Sequence, residues 1–250
     1  MARTTRWWNR RRTSFAAAAT VPLLVGVLAF AHQGFPVARL DLDDGGVWLT
    51  SRADLALGRF NVPVTELDGG LGVAGPDFDV LQDGADVLLV EGTEVSVVDP
   101  ATVATTTRAS VEAGAQVDLA GGTVLVVGTT GTMWVSTVEQ LALTAAGATP
   151  TLDLGQGAAA VVAPSGTVLA VDSQGRVTTA TPDGGSSAAG TIGDLGTIDQ
   201  ITAVGDEPVV LDGSTVRTKH GSVRLTGTGL TLQPPGPTAS TVLVASTTAL

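Results

Sequence analysis

The apolar positions of the chain fall into two unlike patterns. From Phe15 to Ala31 they form one uncharged run of 17 residues, in which the only polar side chain is Thr20. Beyond it they come as short β-branched bursts framed by glycine, serine, threonine and aspartate. The bursts read "GADVLLVEGTEVSVVDPAT" from Gly84, "GGTVLVVGTTGTMWVSTVEQ" from Gly121, "SGTVLAVDSQGRVTTATPDG" from Ser165, "GDEPVVLDGSTVRTKHG" from Gly205 and "ASTVLVASTTAL" from Ala239. Each predicts a tight turn, a short strand, a second turn and usually another strand. The strand cores begin near Val87, Val124, Val168, Val209 and Val242, in steps of 37, 44, 41 and 33. An earlier copy, "GGVWLTSRADLALGRFN" from Gly45, has its core at Val47, 40 residues before Val87.

A period near 40 built of paired strands predicts an all-β fold, a partial β-propeller of about five to six four-stranded blades. A lone blade leaves both faces of its sheet uncovered, so blades must stack. Trp48 and Trp134 are expected to pack between neighbouring blades as structural residues. Asp83-Gly84, Asp183-Gly184 and Asp212-Gly213 read as hairpin turns, because glycine takes positive φ without steric cost. The sixth unit breaks off at Leu250, which predicts that the propeller-like body, residues 34–250, is truncated at its C-terminal end.

The uncharged run predicts one N-terminal transmembrane helix over residues 15–33. Its length is at the short end of the ~17–25 residues that span a bilayer, and Pro22 is tolerated in such a helix. Arg10, Arg11 and Arg12 lie just before Phe15 in a basic tail, residues 1–14, which orients the N-terminus to the cytoplasm and the body outward. Ala29-Phe30-Ala31 also fits a cleavage site of the A-x-A kind, so a signal removed after Ala31 is the rival reading. The long apolar stretch, with no polar region before Ala29, favours retention as a signal-anchor.

Composition narrows the function classes. With no cysteine there is neither a disulfide framework nor a thiolate site. Beyond Ala31 the chain carries 8 basic against 24 acidic residues, a formal −16, which argues against nucleic acid as a partner. Gly70-Leu71-Gly72-Val73-Ala74-Gly75 satisfies G-x-G-x-x-G, but Pro76-Asp77 and a strand signal follow it instead of a helix, so it reads as an inter-blade loop. "DLDDGG" at Asp41 lacks the calcium-loop ligands, with Gly45 at a ligand position and Arg52 where a bidentate Glu belongs. His32 and His220 have no metal-ligand spacing, and His220 in "TKHGS" reads as a turn. Glu91, Glu94 and Asp118 are available as carboxylates but nothing pairs them. No catalytic, cofactor or metal residue is therefore indicated.

Val47-Trp48-Leu49-Thr50 followed by Gly58-Arg59-Phe60-Asn61, behind a basic tail and one membrane segment, resembles the N-terminal region of actinobacterial membrane-anchored proteins that carry fibronectin type III domains. The resemblance covers Gly34 to Leu71 and implies a quinoprotein-like propeller downstream, with Trp48 and Asn61 as blade residues. Ser51 stands where the family has Asn, and no fibronectin domain occurs in these 250 residues. The expectation is an anchored cell-envelope protein whose propeller binds or scaffolds, with cell-wall polysaccharide or envelope proteins as partners and the lipid bilayer engaged through one helix. The alternative is a secreted or anchored enzyme, either a polysaccharide-acting hydrolase or a quinoprotein-like oxidoreductase.

Overall fold

A computed structural model describes residues 46–144, 148–236 and 238–247. The expectations placed on Arg10, Arg11, Arg12, Phe15, Pro22 and Ala31 lie outside the described residues. Among the described residues no helix is long and apolar enough to cross a membrane.

All sheets are antiparallel and built from strands consecutive in the chain. The first holds β1 (Gly46–Ser51), β2 (Ala56–Asn61) and β3 (Glu66–Gly72), and the second β4 (Phe78–Asp83), β5 (Asp86–Glu91), β6 (Glu94–Asp99) and β7 (Ala104–Ser110). The third holds β8 (Gln116–Ala120), β9 (Thr123–Val127), β10 (Thr132–Thr137) and the short β11 (Leu152–Asp153), with a 3-10 turn over Val138–Thr144 before β11. The fourth holds β12 (Ala159–Val162), β13 (Val168–Val171), β14 (Arg176–Ala180) and β15 (Ser186–Thr191). The fifth holds β16 (Gln200–Val204), β17 (Glu207–Asp212), β18 (Thr215–Thr218) and β19 (Gly221–Arg224), and the sixth β20 (Thr231–Gln233) and β21 (Leu243–Ala245). The four-stranded repeat expected from the sequence thus holds in four of the six sheets among the described residues.

The sheets stack face to face in chain order, and the apolar core is a series of layers between them. Trp48 and Leu57 meet Phe78, Val87 and Val98 between the first and second sheets. Leu88 and Val95 meet Leu119 and Val124 between the second and third. Leu125 and Met133 meet Ala160, Val162 and Val168 between the third and fourth, and Val171 and Val177 meet Val210 between the fourth and fifth. Neighbouring residues such as Val124 and Leu125 therefore serve opposite layers. That is why β5, β9, β13 and β17 read as unbroken apolar runs, "DVLLVE", "TVLVV", "VLAV" and "EPVVLD", instead of alternating ones. Burying each such leucine stabilises the stack by about 1.5–3 kcal/mol.

One backbone contact recurs in five sheets and fixes the equivalence of their strands. In the second to fifth sheets, the turn after the second strand offers a carbonyl to the amide of an apolar residue following the fourth strand. Val111 donates to Thr93 at 2.8 Å, Leu154 to Gly131 at 3.2 Å, Ile192 to Gly175 at 2.9 Å and Leu225 to Ser214 at 2.7 Å. In the first sheet Val73 donates to Leu55, in the β1–β2 turn, at 2.9 Å. By that contact β1, β2 and β3 correspond to the second, third and fourth strands elsewhere. The sequence repeat had already aligned Val47 of β1 with Val87 of β5.

Glycine is required where these latches pack tightest. A Cβ on Gly131 would lie 1.8 Å from the Gly155 carbonyl oxygen, and one on Gly175 would lie 1.9 Å from that of Gly193. Both residues also hold positive φ.

Candidate functional site

The first strands of successive sheets, β4, β8, β12, β16 and β20, are neighbours in that order. A polar side chain ties each seam. Gln82 of β4 donates to the Gly46 carbonyl at 2.7 Å and accepts from the Trp48 amide at 3.1 Å. Asp83 accepts from the Gly122 amide, and Asp118 of β8 accepts from the Val162 amide of β12 at 2.7 Å. The Ser165 hydroxyl donates to Asp206 at 2.5 Å, and Gln200 of β16 accepts from the Leu232 amide of β20 at 2.6 Å. A neutral bond of this kind adds about 0.5–1.5 kcal/mol to a seam, and one to a charged group about 1.5–3 kcal/mol.

The same logic governs the loops. Glu91 accepts from the Ala74 amide at 2.9 Å, and Asp212 accepts from the Gly196 and Thr197 amides. In the third sheet the roles reverse. Glu112, in the connection before β8, reaches across to the Thr129 amide, and Gly128 stands where the other sheets carry Glu91, Asp172 or Asp212. A Cβ on Gly128 would meet the Glu112 carboxylate oxygen at 2.6 Å, so the glycine makes room for the visiting carboxylate.

Burial by itself would raise the pKa of Asp172. The Arg176 amide, the Arg176 guanidinium at 2.6 Å and the Gln174 amide outweigh it and hold the group below the ordinary carboxylate range. Asp212 behaves alike, with burial opposed by the Thr197 and Gly196 amides and by Arg217. Many acidic side chains are thus used as backbone acceptors within the fold.

At the end of the sheets that carries these loops, β8, β12 and β16 border an open cavity of about 680 Å³. Gln116, Asp118, Thr129, Asp199, Gln200 and Thr202 supply its polar lining, and Val117, Val127, Val161 and Ile201 part of its apolar wall. Asp199 accepts from the Gly213 amide at 2.6 Å through one oxygen. Among the described residues no group of three or more His, Cys, Asp or Glu could hold a metal ion.

Apart from Asp118, the residues singled out from the sequence lie elsewhere. Trp48 is buried between the first and second sheets. Trp134, half-buried on β10, donates its indole N–H to the Ala148 carbonyl at 3.0 Å, a contact within its own sheet's connection. Asn61 ends β2 and donates to Asp68 at 2.9 Å. The G-x-G-x-x-G stretch runs from β3 into the loop before β4 and opens no helix. His220 sits in the two-residue β18–β19 turn, bonded to Glu207 at 2.9 Å. Asp118 was available in the sequence only as an isolated carboxylate, while Gln116, Asp199 and Thr202 were not singled out. Only folding brings these first strands together.

No protein-family profile and no curated protein matches the chain by sequence. Solved structures do match in fold. The chain is similar to dihydro-heme d1 dehydrogenase NirN, at a TM-score of 0.57 and 11% identity, covering 74% of this chain and 45% of that one. A chain of the mitotic checkpoint complex matches at 0.56 and 8%, covering 82% and 69%, and Kluyveromyces lactis Hsv2 at 0.53 and 14%, covering 82% and 68%. The fold is that of a β-propeller. Among the described residues the four-stranded sheets are its blades, and the cavity lies at the loop-bearing end of three of their first strands. With 436 solved chains matching at this level, the likeness establishes architecture and assigns no reaction. The chain spans less than half the length of the NirN chain.

Proposed function

We propose that this chain is a cell-envelope protein held by one N-terminal membrane helix, with the propeller outside acting as a binding or scaffolding module. The observation that carries the binding reading is the cavity of about 680 Å³ at the loop-bearing end of β8, β12 and β16. It lies within the size range of small-ligand sites, about 300–1,000 Å³, and combines apolar walls with a few polar groups. The membrane reading is supported by the arginines ahead of the uncharged run from Phe15 to Ala31, and by an acidic, cysteine-free body. Cell-wall polysaccharide and envelope proteins are the partners this placement favours.

The test is fractionation of cells expressing the full chain with a C-terminal reporter, combined with protease added from outside. Membrane recovery with an externally cleaved body at full mass is expected. A soluble cytoplasmic chain, or a membrane product lacking its first 31 residues, would remove the anchor. Sedimentation with purified cell wall, lost when the cavity carboxylates are neutralised, is expected for the binding role.

A further inference from the structure

We infer that the cavity bordered by β8, β12 and β16 binds an alkylammonium group, of the kind a lysine side chain or a small diamine presents. The inference deepens the binding role proposed above and assigns it a ligand chemistry.

Two carboxylates, Asp118 and Asp199, line the cavity, and among the described residues no lysine, arginine or histidine does. Neither forms an ion pair among the described residues, unlike Asp172, Asp212 and Glu207, which are paired with Arg176, Arg217 and Lys219. Their amide donors leave lone pairs on each carboxylate, since Asp118 receives one bond per oxygen and Asp199 one bond in all. A second observation is independent of charge. Thr202 borders the cavity and is only 7% exposed, and its hydroxyl, which no side-chain hydrogen bond among the described residues occupies, is open to a bound donor. An ammonium offers three N–H donors and no acceptor, which suits a lining of carboxylate, amide and hydroxyl oxygens. The aliphatic wall of Val117, Val127, Val161 and Ile201 fits the methylene chain behind it. Apolar walls around unpaired carboxylates also concentrate the negative potential at the opening.

The experiment is calorimetric titration of the purified full-length chain, at low salt, with 1,5-diaminopentane and with Nα-acetyl-lysine methylamide. Pentane-1,5-diol and glutarate serve as neutral and anionic controls of the same length. Either amine should bind and both controls should not, with affinity falling as salt rises. Binding of the lysine amide would identify a peptide-borne source, and of the diamine alone a free amine. Asp118→Asn with Asp199→Asn should weaken binding by about three- to tenfold, the size expected for two partly solvated ion pairs. Gln116→Glu changes an exposed side chain and should strengthen binding by about two- to fivefold. This variant keeps the test open if the double variant does not fold. Equal binding of the diol, no amine binding at millimolar concentration, or unchanged affinity in a variant that melts like the parent would overturn the assignment. Membrane recovery of the chain is unaffected by any of these outcomes, so the anchor and the ligand fail separately.

Discussion

Among the described residues, the four four-stranded sheets and the smaller first and sixth sheets are made of the same sequence phrase yet differ in how much of it they bury. In the third and fourth blades every residue of β9 and β13 is buried, because each has a neighbouring sheet on both faces. In the first blade Val47 is 43% and Leu49 48% exposed on β1, and Leu67 is 67% exposed on β3. In the sixth blade Leu243 of β21 is 71% exposed. A propeller blade is therefore half a structure on its own, and its stability is set by the neighbours it stacks against.

The comparison can be broken most strongly at Leu125, which no solvent reaches and which packs between the third and fourth blades. Leu125→Ala should cost about 2–5 kcal/mol, measured by denaturant unfolding. Leu67→Ala in the first blade should stay within about 0.5 kcal/mol of the parent by the same assay. Equal losses at the two sites would contradict the layered core.

Gly131→Ala tests the latch. The new Cβ would meet the Gly155 carbonyl at a positive-φ position, so a loss of about 1–3 kcal/mol or more is expected. Gly72→Ala, where nothing lies within 4 Å of the added atom, should cost far less. Gln82→Ala removes the seam tie between β1 and β4 and should cost about 1 kcal/mol, with the first blade loosening ahead of the rest.

The smallest effect concerns acid. Asp172 and Asp212 have folded pKa values below their ordinary ones, so the stability they contribute is complete above the unfolded carboxylate pKa. It disappears as pH falls through the depressed folded value. The double variant Asp172→Asn, Asp212→Asn should therefore be less stable than the parent at neutral pH, and the gap should close in strong acid. Melting curves across that range check the sign.

Much of this fold was legible in the sequence, and the reason is local. Val87, Val124, Val168 and Val209 all lie in second strands, which are covered on both faces and so carry the densest β-branched runs. Gly84, Gly184 and Gly213 of the three Asp-Gly pairs each sit in a turn between consecutive strands with positive φ, as their chemistry predicts. The first strands were harder to see. "QVDLA", "AAVV" and "QITAV" have no common signature, since each must meet two different neighbours and the cavity. The candidate site lies on those strands. Glu112 filling the place opened by Gly128 was likewise invisible, because the two are 16 positions apart and meet only through the stacking of a loop on a turn.

Native-state hydrogen exchange, resolved by strand, tests the central claim most directly. Stacked blades predict the slowest exchange in β5, β9, β13 and β17, faster exchange in β3, β19 and β21, and added protection at the first residues of β8 and β16 when an alkylammonium ligand is present. Uniform protection across all six blades, or faster exchange in β9 and β13 than in β3, would contradict it.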